Sequence, residues 1–132
     1  MSLKVIAAVD DLIFAAKIKG TAAGTGAEAR FAKSLAAVLT QARADKPDLI
    51  LVDLHAKQCE PFALAQALKS DETCRDITLI GFFSHVQTEL MRQAQAAGYD
   101  QVMPRSAFTK RLPELLRGKD AGTEMGREGA RE

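Results

Sequence analysis

Acidic residues follow two apolar segments of this sequence, a pattern that can support metal or phosphoryl chemistry. Asp10 and Asp11 come directly after the apolar run 5–9, and Asp53 comes directly after the apolar run 49–52. Carboxylates that lie close together raise one another's pKa or require a cation, and Mg²⁺ is the hard divalent ion that such oxygen ligands favour. A site of this kind can also hold a phosphoryl group while one carboxylate attacks the phosphorus.

The segments that must position these acids alternate between strand-like and helix-like patterns. Short strands are expected at about 5–9, 27–32, 49–52, 77–83 and 101–103. Helices are expected at about 12–23, 34–44, from 61 onward, at 87–97 and at 108–116. Ser34 is a candidate N-cap, Pro61 a candidate first residue of its helix, and Pro113 is expected near the first turn of the last helix.

Strands that alternate with helices form a mostly parallel sheet with right-handed crossovers. Five strands favour the doubly wound, flavodoxin-like order 2-1-3-4-5, in which the first and third strands are neighbours and ligands bind at their carboxyl ends. The prediction is therefore an α/β three-layer sandwich in which Asp10, Asp11 and Asp53 converge at one edge of the sheet.

Composition limits the classes of protein that this chain can represent. With 132 residues, 47% of them hydrophobic, we expect one domain over 1–117 and a disordered, charged tail over 118–132. The formal charge of +1 argues against a dedicated nucleic-acid surface. No signal peptide or membrane-spanning run is visible, and Cys59 and Cys74 lack metal-ligand spacing, so a cytoplasmic protein without membrane contact is expected.

Five positions at the ends of the predicted strands match a known pattern. An acidic pair follows the first strand as Asp10 and Asp11, Asp53 follows the third within Leu-Val-Asp, Ser84 ends the fourth, and Arg105 follows the fifth. On these residues the chain resembles, from about 4 to 117, the receiver domains of two-component response regulators.

The resemblance implies a role for each residue. Asp53 would accept a phosphoryl group from a sensor histidine kinase or phosphotransfer protein, and Ser84 and Arg105 would hold the phosphoryl oxygens. The metal ligands that the family implies for Mg²⁺ are Asp10, Asp11, Asp53 and the backbone carbonyl of His55. The implied protein is a stand-alone signalling switch rather than an enzyme, and it acts by binding a downstream protein target.

Three departures from the family pattern bear on this function. Arg105 stands where the family has lysine, and its planar, permanently charged guanidinium can hold a phosphoryl oxygen or lock Asp53 in a static ion pair. Val102 stands where the family has an aromatic switch residue, and the loop 56–61 lacks the usual Met-Pro and Asp-Gly sequences. A pseudo-receiver that binds its partner without phosphorylation is therefore the alternative hypothesis.

Each candidate residue also has a plain structural explanation. Asp10 and Asp11 could cap a helix, Asp53 could be a polar loop residue, and Ser84 could cap the fourth helix. A small phosphohydrolase with Asp10 or Asp53 as nucleophile is a third hypothesis, which the absence of an Asp-x-Asp sequence after the first strand disfavours. Output is expected through the face of the first, fourth and fifth helices, and homodimer formation is left open.

Overall fold

The computed structural model describes residues 3–84 and 88–118, in which strands and helices alternate along the chain. The strands are β1 (Lys4–Ala8), β2 (Glu28–Phe31), β3 (Leu49–Asp53), β4 (Thr78–Phe83) and β5 (Gln101–Pro104). The helices are α1 (Leu12–Thr25), α2 (Leu35–Ala44), α3 (Pro61–Ser70), α4 (Thr88–Ala97) and α5 (Arg105–Leu116). Of the described helices, none combines the length and apolar character that crossing a bilayer requires.

The five strands form one parallel sheet in the order β2-β1-β3-β4-β5, which confirms the predicted α/β, flavodoxin-like topology. Every residue of β3 is buried, because a central parallel strand is covered on both faces. Ala8 pairs with Val52 in the register of β1 and β3. The segments that follow these two strands therefore leave the sheet side by side at its carboxyl edge.

Helices cover the sheet on both faces and bury two separate hydrophobic clusters. The α1–α5 face, packed by α1 and α5, contains Phe14, Phe82 and Phe108. The α2–α4 face, packed by α2, α3 and α4, contains Phe83 and Tyr99. Phe82 and Phe83 point to opposite faces, as expected for successive strand residues.

Local capping explains where the first two helices begin and end. Asp11 is the N-cap of α1, and Gly26 ends this helix with a φ of 82°, a left-handed conformation that glycine adopts without strain. Ser34 is the N-cap of α2, and its hydroxyl accepts a hydrogen bond from the Ala37 N–H at 3.1 Å. The predicted N-cap of α2 is thus confirmed, and Asp11 is the residue of the acidic pair that caps α1.

The prediction for the last helix was wrong at its start. Helix α5 begins at Arg105 rather than at 108, because Pro104 has an extended backbone and serves as the N-cap residue. Pro113 therefore lies inside the helix rather than in its first turn. It removes one helical N–H, but Phe108, Leu112 and neighbouring residues keep the helix docked by their burial. The predicted tail, 118–132, lies outside the described residues apart from Gly118.

Candidate functional site

Asp53 is a buried acid at the carboxyl end of β3. It is 5% exposed, the one charged residue in the described part of the chain that falls in the buried class. Its Oδ1 accepts a hydrogen bond from the His55 N–H at 2.9 Å, and Leu54 N–H donates to the Phe82 carbonyl at 2.9 Å. These bonds fix the backbone that follows the carboxylate, and a buried charge of this kind requires a partner of opposite sign.

The two carboxylate oxygens of Asp11 make different contacts. Its Oδ1 accepts hydrogen bonds from the N–H groups of Ile13 at 2.9 Å and Phe14 at 3.2 Å, which caps α1. Its Oδ2 lies 3.6 Å from Nη1 of Arg105. The capping explanation of this aspartate is therefore confirmed, whereas its predicted role as a metal ligand stays a prediction.

Arg105, the first residue of α5, joins the two acids. Its Nη2 lies 3.7 Å from Oδ2 of Asp53, while Nη1 faces Asp11, and its Cζ lies 4.5 Å from the centroid of the Phe14 ring. Within the described residues, Nε of Arg105 is buried and has no hydrogen-bond partner. An unsatisfied buried N–H costs about 1–3 kcal/mol, so stability alone does not account for this placement.

The remaining predicted site residues lie outside this group of three. Asp10 and the side chain of His55 are exposed. Ser84 is exposed at the end of β4, immediately before residues 85–87, which the structure does not describe. Over residues 3–84 and 88–118, no three or more His, Cys, Asp and Glu side chains form a group that could hold a metal ion. The structure thus brings together Asp11, Asp53 and Arg105. The metal-binding and phosphoryl-binding roles of these three residues, and those of Asp10, His55 and Ser84, stay predictions.

The group formed by Asp11, Asp53 and Arg105 is called the pocket below. Its oxygen donors nevertheless suit a hard cation. Oδ2 of Asp11 and Oδ2 of Asp53 converge on one positive group, the Arg105 guanidinium. Carboxylate oxygens are the ligands that Mg²⁺ prefers. An ion at this position would share its two carboxylates with the guanidinium.

The buried thiol of Cys59 belongs to the loop 54–60 that follows Asp53. Burial, and to a lesser extent the negative charges of Asp10 and Asp53, raise the pKa of Cys59 to about 12. The thiol donates a weak hydrogen bond to the Ala56 carbonyl at 3.6 Å. Since a thiolate is needed for nucleophilic or metal chemistry, Cys59 is a packing residue rather than a reactive one.

Two features next to the pocket were not predicted from the sequence. Leu12 and Ile13, directly after Asp11, are 74% and 84% exposed. Phe14 contacts Arg105 through its ring. The available signal was its spacing: three residues after Asp11, it lies on the same side of the first turn of α1.

Comparison with solved structures identifies the fold. A response regulator from Hahella chejuensis superposes with a TM-score of 0.81 at 19% identity, covering 94% of this chain and 99% of that one. The chemotaxis response regulator CheY4 of Vibrio cholerae gives 0.79 at 17% identity, with 91% and 100% covered. The phosphorylated cyanobacterial phytochrome response regulator RcpA gives 0.75 at 18% identity, with 89% and 91% covered.

These likenesses define a class of fold, the parallel α/β sandwich in the order 2-1-3-4-5, and within it the fold of response-regulator receiver domains. The resemblance inferred from the sequence is thereby confirmed at the level of the fold. Neither the protein-family models nor the curated proteins gave a match to this sequence.

Proposed function

We propose that this chain is a receiver-type signalling switch in which Asp53 accepts a phosphoryl group from the phosphohistidine of a kinase or phosphotransfer protein. Its output is contact with a downstream protein, and it performs no turnover of its own substrate. We further propose that it acts in the cytoplasm, where such partners would be found. The receiver fold and the placement of Asp53 at the carboxyl end of β3 support this function.

One observation carries the proposal: the guanidinium of Arg105 faces both Asp53, at 3.7 Å, and Asp11, at 3.6 Å. The carboxylate that would accept the phosphoryl group therefore has a positive group beside it. Arginine presents several N–H donors in one plane and matches the oxygens of a phosphoryl group two at a time. A static structural ion pair would favour shorter, hydrogen-bonded distances of about 2.7–2.9 Å.

The proposed transfer is a displacement at phosphorus. Oδ2 of Asp53 attacks the phosphorus of the phosphohistidine, a P–O bond forms, and the P–N bond breaks with its electron pair leaving on the imidazole nitrogen. Asp53 becomes an acyl phosphate, and no group is oxidised or reduced. Arg105 stabilises the negative charge on the transferred oxygens, and Ser84 is proposed to donate a hydrogen bond to one of them.

Mg²⁺ would be held by Asp11 and Asp53, with the backbone carbonyl of His55 as a further ligand and Asp10 at the rim. When bound, the ion supplies positive charge that neutralises phosphoryl oxygens. The residues of the chain then orient the acceptor: the His55 N–H holds Oδ1 of Asp53 and leaves Oδ2 directed towards the pocket.

The exposed apolar pair Leu12 and Ile13 suits the docking of the phosphoryl donor. These residues are the large hydrophobic side chains that stand out as exposed in the described part of the chain, and they adjoin Asp11 at the pocket. Exposed apolar side chains beside a reactive group favour partner contact. A phosphohistidine-bearing helix packed on them would bring its phosphoryl group near Asp53.

The test is covalent labelling. The full chain is incubated with Mg²⁺ and acetyl phosphate, and its intact mass is measured over time. We expect addition of one phosphoryl group to the wild type and none to Asp53→Asn. The matched control is Asp76→Asn, which removes an exposed acid that pairs with Lys46 at the surface, and it should label like the wild type. Absence of any adduct, under conditions that label a control receiver, would remove the proposal.

A second candidate function is an interaction module that works without phosphorylation. It is favoured by the position of Arg105, which already supplies a positive charge to Asp11 and Asp53. In this case acetyl phosphate and Mg²⁺ would leave both the mass and the amide NMR spectrum of the wild type unchanged. Spectral changes that disappear in Asp53→Asn would exclude it.

A further inference from the structure

Arg105 rests on an aromatic surface as well as between two acids. Its Cζ lies over the Phe14 ring at 4.5 Å from the centroid, inside the range of about 6 Å over which a cation interacts with an aromatic face. The ring is itself held from behind, since its centroid lies 5.0 Å from that of Phe82 and 5.8 Å from that of Phe108. The surface beneath the guanidinium is therefore a fixed one.

The carboxylates alone do not fix the guanidinium. Its distances to Asp11 and Asp53, 3.6 and 3.7 Å, lie beyond the range of about 2.7–2.9 Å of charge-assisted hydrogen bonds. Its Nε has no hydrogen-bond partner within the part of the chain that the structure describes. Attraction to two acids without hydrogen bonds leaves the orientation of the guanidinium plane open, whereas contact with a ring face restricts it.

One turn of helix supplies both kinds of contact. Asp11 caps α1, and the Phe14 N–H is one of the two donors that its Oδ1 binds. The acid that attracts the guanidinium and the ring that carries it are thus locked to each other through the backbone. A shift of either one would move the other.

We infer that Phe14 is a positioning residue, which holds the guanidinium plane of Arg105 between Asp11 and Asp53, and that the pocket is specific for arginine over lysine. An ammonium group is compact and strongly hydrated, so it keeps the charge but loses the planar contact with the ring. The consequence for phosphoryl transfer rests on the function proposed above. The guanidinium over the Phe14 ring presents Nη1 to Asp11 and Nη2 to Asp53, the side where the phosphoryl oxygens of Asp53 would lie.

The first experiment is spectroscopic and needs no phosphorylation. In ¹⁵N–¹H spectra of the full chain, the Arg105 Nε–H proton should be shifted upfield by the Phe14 ring and should exchange slowly with water. Phe14→Leu should return it towards the position of the exposed Arg92, and Phe14→Tyr should preserve the shift. Phe62→Leu, which removes a partly buried ring from the α2–α4 face, should change nothing. An unshifted, rapidly exchanging signal in the wild type overturns the inference, whatever the variants do.

The second experiment measures the rate of labelling by acetyl phosphate. A cation–aromatic contact of about 0.5–2 kcal/mol corresponds to a loss of roughly 2- to 30-fold in Phe14→Leu. Arg105→Lys should lose a similar factor, and the double variant should be no slower than Arg105→Lys, because both changes remove one interaction. Losses that multiply in the double variant overturn the inference. If the wild type takes no label, the proposed function fails, and the spectroscopic result alone decides the role of Phe14.

Discussion

The two faces of the sheet support the pocket in different ways. On the α1–α5 face, the rings of Phe14, Phe82 and Phe108 contact one another, with centroids 4.3–5.8 Å apart, and Phe14 continues to Arg105. On the α2–α4 face, the core includes Tyr99 and also Cys59, which belongs to the loop 54–60 that follows Asp53, called the acceptor loop below. The first face thus carries the positive group of the pocket.

The α2–α4 face fixes the acceptor loop instead. The Tyr99 hydroxyl donates a hydrogen bond to the Pro61 carbonyl at 2.8 Å, and the Leu35 N–H donates to the Gln58 carbonyl at 3.1 Å. Glu60, the N-cap residue of α3, has a φ of 48°, a strained backbone that these surrounding contacts hold. The comparison indicates that the core of the α1–α5 face positions the Arg105 guanidinium and that the core of the α2–α4 face positions the acceptor loop. Each core can therefore be disturbed without the other.

The largest expected effects come from one large-to-small substitution on each face. Phe108→Ala should lower the free energy of unfolding by about 3–5 kcal/mol and Leu64→Ala by about 2–5 kcal/mol, since both side chains are fully buried. Urea unfolding followed by circular dichroism measures both. Similar losses of stability are expected because both changes leave cavities in a core.

The effects of these variants on the pocket should differ. Phe108→Ala removes support behind the Phe14 ring, so the Arg105 Nε–H resonance should move, whereas Leu64→Ala should leave it in place. Phe108→Leu also removes the ring behind Phe14 and can be compared with Leu64→Ala in the same way, but it should lower the free energy of unfolding by less than Phe108→Ala. Equal displacement of the resonance by both substitutions would show that the two cores are not independent.

The fold was largely predictable because its central strands are long, apolar and bounded by charged residues. The runs ending before Asp10 and Asp53 predict β1 and β3, and their alternation with helices limits the sheet to few topologies. The start of α5 was not predictable from Pro113, because burial of the helix on the α1–α5 face outweighs the hydrogen bond lost at that proline.

The site was predictable only in part. Strand order alone brings Asp11 and Asp53 to one edge, so their approach followed from the sequence. The outward position of Asp10 and the contact of Arg105 with Phe14 did not, since both depend on side-chain directions that no periodicity encodes. Val102, which replaces the family's aromatic residue, gave no indication that Tyr99 occupies the core nearby.

A smaller effect on the α2–α4 face should appear at alkaline pH. The pKa of Cys59 is raised from 9.0 to about 12 by burial and by the charges of Asp10 and Asp53. Below about pH 9 the Cys59 thiol is neutral in both the folded and the unfolded chain, and its full contribution to the free energy of unfolding is present. As the pH rises from 9 towards 12 the unfolded chain loses this proton first, so the free energy of unfolding falls.

The measurement compares urea unfolding of the wild type, Cys59→Ala and Cys74→Ala between pH 8 and about 11. The wild type and Cys74→Ala should lose stability more steeply with pH than Cys59→Ala. Iodoacetamide should label Cys59 slowly in the folded chain and rapidly in urea. If the free energy of unfolding falls with pH in parallel for all three proteins, the pKa of Cys59 is not raised by burial in the folded chain.

The smallest effect is expected from Tyr99→Phe, which removes the hydroxyl that binds the Pro61 carbonyl but keeps the ring that packs against Gly81. The loss should be about 1 kcal/mol, the usual net contribution of one hydrogen bond. Because the chain has one tyrosine and no tryptophan, absorbance at alkaline pH reports Tyr99 alone. Burial raises the pKa of this phenol, so its ionisation should appear only together with unfolding.

The same variant tests whether the acceptor loop and the Arg105 guanidinium are positioned by separate cores. With the Pro61 contact weakened, amide exchange should increase in the loop between Asp53 and α3, because the Tyr99 hydroxyl links its far end to the core. The Arg105 Nε–H resonance should stay where it is, since Phe14 and its supporting rings lie on the opposite face. Movement of that resonance in Tyr99→Phe would mean that the sheet transmits the change from one core to the other.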